Sequence, residues 1–156
     1  MEEQRLKDIM GNIDSELVIV TTRLDEKING QAVAWFTQAS MNPTMVAIGL
    51  ASDTYTNSLI TKSNIFAVNF VPEGRSDLIE FFGYNSGRDI DKFADFEYEV
   101  LSSGNPSLKD SAAFLDCTVI KEINLGDHDF FVGEVIDADY TSLKWLETKN
   151  FKPEAA

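Results

Sequence analysis

Five short apolar runs recur along the chain, each rich in β-branched or aromatic residues and each bounded by turn chemistry: 17–22 (LVIVTT), 45–51 (MVAIGLA), 65–71 (IFAVNFV), 113–123 and 130–138. Runs of this length and composition read as strands, and their repetition restricts the chain to an antiparallel all-β framework of the barrel kind. A further strand is expected over QAVAWFTQAS, joined to the first through Asn29-Gly30, a residue pair suited to a tight hairpin turn. Between the runs, TNSLITKS, SDLIEFFGY and DIDKFADF space their apolar residues three or four apart and predict brief helices or loops. The opening MEEQRLKDI places Leu6, Ile9 and Met10 at helical spacing and predicts a short amphipathic helix. The expectation is a mainly β protein with short helices, a barrel of about six strands.

With 156 residues and 44% hydrophobic content, the chain is long enough for one substantial core and too short for two ordinary ones. One domain over 1–156 is therefore expected. A formal charge of -13 repels polyanions, which argues against a general nucleic-acid or membrane-surface role. Any phosphate ligand needs a local basic exception. No stretch approaches the roughly 20 apolar residues that span a bilayer, and no leader-like segment opens the sequence, so the expected location is the cytoplasm. A single cysteine, Cys117, and a single histidine, His128, set aside both an internal disulfide and a structural zinc site.

Four segments carry candidate chemistry. ASDTYTNSLI places Ser52, Thr54, Thr56 and Asn57 just before an apolar helical turn, where such residues cap a helix and where the first-turn N–H groups attract an anion. Taken alone, the segment reads more readily as an ordinary N-cap. GRDIDKF supplies Arg88 and Lys92, two of thirteen basic residues, which share one face if the segment is helical. A solvated pair matched to Asp89 and Asp91 is the alternative. NGQAVAWFTQAS combines the flat apolar surface of Trp35 and Phe36 with the polar groups of Thr37, Gln38 and Ser40, as a slot for a polar heterocycle requires. Core packing is the commoner fate of such aromatics. Finally, Gly126-Asp127-His128 precedes DFFVGEV and puts the lone histidine in a polar turn.

Taken in order, VIVTT, NGQAVAWFTQAS, TYTNSLI, FAVNF, GRDIDKF, GNPSL, LDCTV and GDHDFFVGEV resemble the flavin reductase-like domain, the FMN-binding split barrel that includes flavoredoxins and archaeal-type ferric reductases. The resemblance runs from about Ile13 to Ala138. It implies an antiparallel split barrel, a non-covalent FMN at a homodimer interface, ring or ribityl contacts from Asn29 and Trp35, phosphate contacts from Thr56 and Lys92, and His128 beside the flavin. The chain departs from the pattern at Ala34, where many relatives carry serine. It departs again in its tail, LKWLETKNFKPEAA, where relatives carry an aromatic and basic closing stretch: either Trp145 and Phe151 substitute for it or the pocket is more open. Cys117 matches the cysteine of the LDC-like strand and is expected to be inert packing.

In such proteins the cofactor carries the chemistry, so the absence of a catalytic triad or dyad is no objection. No GxGxxG segment holds a dinucleotide, and NADH or NADPH is expected to dock transiently, NADH by preference because an acidic surface opposes the 2′-phosphate. Three functions follow. One is an NAD(P)H-dependent reductase of flavin, ferric complexes or another acceptor. Another is an FMN electron carrier reduced by a redox protein partner, and the last is a flavin-free binding barrel.

Overall fold

The computed structural model describes residues 2–153; residue 1 and residues 154–156 of the expected domain lie outside the described residues. A helix, α1 (Glu3–Gly11), precedes the first strand, β1 (Val18–Leu24). Then follow β2 (Lys27–Val33), β3 (Phe36–Met41), β4 (Thr44–Ala51), α2 (Tyr55–Ser63), β5 (Ile65–Phe70) and α3 (Ser76–Tyr84). Two three-residue strands, β6 (Tyr98–Val100) and β7 (Pro106–Leu108), lead into the long hairpin of β8 (Ala113–Asn124) and β9 (His128–Tyr140).

Seven strands form one antiparallel sheet in the order β2-β1-β5-β8-β9-β4-β3, while β6 and β7 pair separately. The two edges, β2 and β3, are consecutive in the chain and separated only by Ala34 and Trp35. This is the antiparallel split-barrel class expected, with more strands than the six anticipated because QAVAWFTQAS breaks in two and β6 and β7 are too short to signal themselves. No described helix is long and apolar enough to cross a membrane.

The expected Asn29-Gly30 turn is a correction. The hairpin turns instead at Asp25-Glu26, with Leu24 opposite Lys27 and Asp25 at φ 54. Aspartate tolerates this left-handed conformation, so the connection needs no glycine. Asn29 and Gly30 lie inside β2, opposite Thr22 and Thr21. A Cβ on residue 30 would stand 3.1 Å from Thr21 Cγ2, so glycine serves close packing at that position.

Strand β1 is buried on both faces, which explains its near-continuous apolar sequence. Val18 and Val20 enter one cluster with Ile48, Phe66, Val68 and Phe131, whereas Leu17 and Ile19 face a second with Leu78, Phe82 and Phe93 from α3 and the segment after it. Period-two alternation assigns the two sets. Cys117 lies in the first cluster, and burial together with Asp116 pushes its thiol up to about 12, so it stays protonated. In the tail, Trp145 packs on Phe70 with 4.5 Å between ring centroids and donates its indole N–H to Glu16, while Phe151 packs against the second cluster. Both aromatics thus close the core.

A fully buried amide, that of Asn69 in β5, joins the short strands to the main sheet. Its Nδ2 donates to the Ile19 carbonyl and Thr21 Oγ1, and its Oδ1 accepts from Ser107 Oγ, Leu108 N and Ser111 Oγ. Replacing Asn69 by alanine leaves several buried groups unpaired, each at a cost of about 1–3 kcal/mol. Urea unfolding of Asn69→Ala is expected to show a loss of at least about 3 kcal/mol, on that scale, and a loss below about 1 kcal/mol would contradict this assignment.

Candidate functional site

The ASDTYTNSLI segment folds as anticipated, with Thr54 capping α2 by accepting from Asn57 N at 3.3 Å. The helix geometry leaves the first-turn N–H groups of Tyr55 and Thr56 without intrahelical acceptors. They border a cavity of about 330 Å³, within the size range of small-molecule sites. Its lining brings together Asn29 and Ala32 of β2, Thr54 and Thr56, Phe82 under the floor, and Arg88 and Lys92.

GRDIDKF is a succession of turns, which corrects the expectation of a helix face for Arg88 and Lys92. Phe93 is drawn into the second core cluster, and Asp91 accepts from its backbone N–H at 3.0 Å. Lys92 follows Phe93 inward. Only 3% exposed, it is no solvated partner of Asp89 or Asp91: Nζ donates to the carbonyls of Gly30 and Phe82, each at 2.8 Å. An ammonium has three donors, so these two carbonyls leave one N–H over on a residue that lines the cavity. Burial lowers the pKa of Lys92 to about 8. Arg88 stays at the surface, 5.4 Å above the Tyr55 ring, and donates from Nη1 to the Asp53 carbonyl at 3.1 Å. Two cations thus converge on one cavity of an acidic chain, as a phosphate requires.

Asn29 is 2% exposed and donates to Thr56 Oγ1 at 2.9 Å, orienting that hydroxyl on the cavity wall. Asn57 has a different task. Its amide donates to Asp129 and the Ala51 carbonyl, tying α2 to β9 away from the cavity lining. Ser52 is likewise outside the lining, its N–H bonded to the Asp127 carbonyl at 2.9 Å.

The aromatic segment forms a second locus. Trp35, 48% exposed, stacks on His128 with 4.0 Å between ring centroids. His128 Nδ1 lies 2.7 Å from Asp127 Oδ1, and the histidine beside it holds the Asp127 carboxyl below the usual carboxylate range. Phe36 is half-buried against the first core cluster, while Thr37 and Gln38 are exposed on the edge strand β3 and Ser40 follows a bulge. None of these residues lines the cavity described above. The two loci are nevertheless adjoining, because His128 pairs with Ala51 and the turn that follows Ala51 leads to Asp53 and Thr54 in the cavity wall.

The sequence profile of the flavin reductase like domain matches residues 10–147. The chain belongs to this family. Among curated flavin reductase-like relatives, it is 30% identical over 125 residues to a ferric-chelate reductase (NAD(P)H) of Archaeoglobus fulgidus, covering 79% of this chain and 74% of that one. It is 31% identical over 124 residues to a high molecular weight rubredoxin of Moorella thermoacetica, covering 78% of this chain but only 54% of the relative. The fold superimposes on an FMN-binding protein from Thermus thermophilus, crystallised with 1-cyclohex-2-enone, with a TM-score of 0.78, 26% identity and coverage of 83% and 72% of the two chains.

Sequence reading missed Tyr55, Ala32 and the segment 83–87 among the residues that line this cavity. Tyr55 stood inside a motif already singled out, but nothing local marks a tyrosine as a wall. The buried amine of Lys92 provides a direct check: an NMR titration of the lysine side chains is expected to show one titrating near pH 8, below the ordinary 10.5. Since its folded pKa lies below the unfolded one, this group alone makes the fold more stable as pH rises between those two values. Lysines that all titrate together above pH 10 would contradict the buried geometry.

Proposed function

We propose that the protein is an FMN-binding oxidoreductase that accepts electrons from NAD(P)H, with NADH preferred, and passes them to a flavin, a ferric complex or another acceptor. The observation that carries this reading is the cavity with Lys92, Arg88 and the α2 N-terminus beside the stacked Trp35–His128 pair. Its lining fits a terminal phosphate: one buried ammonium with a donor to spare, one guanidinium, an oriented Thr56 hydroxyl and two helix N–H groups. Bound FMN supplies the hydride-accepting ring. Lys92, Arg88 and Thr56 hold its phosphate in this reading, Asn29 fixes Thr56, and Trp35 and His128 border the ring. The segment Phe36, Thr37, Gln38 and Ser40 offers polar groups along the same edge.

A homodimer belongs to the same proposal. Strand β3 is a sheet edge, and Trp35 and Met41, at 48% and 88% exposure, leave its ends uncovered. A second copy would cover the open strand edge and the two exposed apolar side chains at its ends. The reaction is placed in the cytoplasm. A second reading, an FMN carrier reduced by a redox protein, draws support from the rubredoxin named among the relatives and from the acidic charge of -13.

Anaerobic addition of NADH to the FMN-loaded protein is expected to bleach the flavin bands. Bleaching only with a reduced protein partner would favour the carrier, and failure of the protein to bind added FMN at all would overturn both in favour of a flavin-free barrel.

The phosphate assignment makes a separate prediction. Lys92→Ala is expected to weaken FMN binding by about 1.5–3 kcal/mol, as for a hydrogen bond to a charged group, with much less effect on riboflavin, which lacks the phosphate. In the wild type, affinity is expected to fall as pH rises past about 8, because the dianion then binds only with proton uptake by Lys92. The limiting slope is about tenfold per pH unit for one proton. Equal losses of FMN and riboflavin in Lys92→Ala would reassign Lys92 to structural support.

A further inference from the structure

A second cavity, of about 300 Å³, shares a wall with the first: Tyr55, Gly87 and Arg88 line both. On the far side the lining is Lys27, Ile28 and Ile90 with the carboxylates of Glu26, Asp89 and Asp91. The partition is thin and closely fitted. A Cβ built on Gly87 would stand 2.3 Å from Asn29 Oδ1 and 2.8 Å from Tyr55 Cδ2, so the backbone of residue 87 rests directly against β2 and α2. Asn29 has little freedom to yield, being buried and bonded to Thr56. Arg88 fastens the other end of the partition through the Asp53 carbonyl and the Tyr55 ring. The turn itself is closed by Ser86, whose Oγ accepts from Arg88 N and whose carbonyl accepts from Asp89 N and Ile90 N, all within 3.1 Å.

We propose that the Gly87–Arg88 partition is a specificity-determining element: it ends the cavity after one phosphate and so selects flavin mononucleotide over flavin adenine dinucleotide. The inference rests on the proposed flavin site and goes beyond it by naming the residues that choose between the two cofactors. In FMN the phosphate is terminal. In the dinucleotide the same phosphate is joined by an anhydride bond to a second phosphate that carries adenosine, and that chain needs an exit. The partition closes the route into the neighbouring cavity. Charge acts in the same direction, because Lys92 and Arg88 favour a dianionic monoester over the singly charged phosphate of a pyrophosphate.

The proposal is tested by titrating flavin-depleted full-length protein with FMN, FAD and riboflavin and following the quenching of flavin fluorescence. Three proteins are compared: wild type, Gly87→Ala, which forces the partition away from Asn29 and Tyr55, and Arg88→Ala, which unfastens it. Wild type is expected to bind FMN at least tenfold more tightly than FAD. Gly87→Ala is expected to lower that ratio at least fivefold through a gain in FAD affinity, while riboflavin affinity stays within twofold and reports an intact fold and ring site. Arg88 also faces the phosphate in the proposed site, so its variant is read by FAD affinity alone: a gain of at least threefold is expected, whereas loss of a phosphate contact by itself would weaken FAD binding or leave it unchanged. Wild-type protein that binds both cofactors equally, or variants in neither of which FAD affinity rises, overturns the partition's role while leaving the FMN site standing. Wild-type protein that binds no FMN overturns the site itself and this inference with it. If Gly87→Ala also loses riboflavin, FAD affinity in Arg88→Ala decides alone.

Discussion

A single buried ammonium organises the region on which the candidate site depends. Lys92 Nζ draws the carbonyl of Gly30, in the edge strand β2, and that of Phe82, in the last turns of α3, onto one donor group. Its hydrogen-bond acceptors among the described residues are carbonyls, so burial lowers its pKa to about 8 instead of a salt bridge raising it. A positive charge held this way costs solvation and is stabilised by carbonyl dipoles and by the Phe82 ring, whose centroid lies 5.9 Å from Nζ. An anion in the adjoining cavity would complete its coordination. The feature that costs the isolated fold stability is therefore the one that would favour a phosphate ligand.

The remaining parts of the site are positioned by the sheet order. Because β2 and β3 are consecutive yet form opposite edges, the break at Ala34 and Trp35 carries the chain across the opening of the split barrel. Trp35 is thereby placed against His128, more than ninety residues later in sequence, while Asn29 and Ala32 stay on the β2 side and face α2 and α3. The loop after β4 joins the two halves, with Ala51 paired to His128 and Thr54 beside the cavity. The arrangement needs no catalytic dyad of its own. In the proposed reading its task is to hold and orient a group that carries the reactivity.

Much of this was readable from local pattern. The β-branched runs became strands, and TNSLITKS and SDLIEFFGY became α2 and α3 because apolar spacing and a threonine cap act within a few residues. Errors fell where long-range packing overrode a local preference. Asn29-Gly30 suits a tight turn, but Asp25 accepts positive φ and the pairing of Thr21 and Thr22 with β2 holds Asn29 and Gly30 in the strand. DIDKFADF has helical spacing, yet Phe93 enters the core beside α3 and the segment folds as turns. Tyr55 and Gly87 escaped notice because a wall residue is defined by what stands opposite it, and their opposite numbers come from β2 and a distant loop.

The sequence by itself determined the β class, the short helices, the impossibility of an internal disulfide with one cysteine, and the family through the order of its motifs. These are properties of neighbouring residues and of composition, and they survive without knowledge of contacts. Only the tertiary structure decided that Lys92 is buried and Arg88 is not, that Asn57 serves the α2–β9 join while Asn29 serves Thr56, and that Trp35 meets His128. Each of those outcomes depends on which residue lies across a strand pair or a cavity. That relation is fixed by the free energy of the whole packed sheet, and no local spacing encodes it.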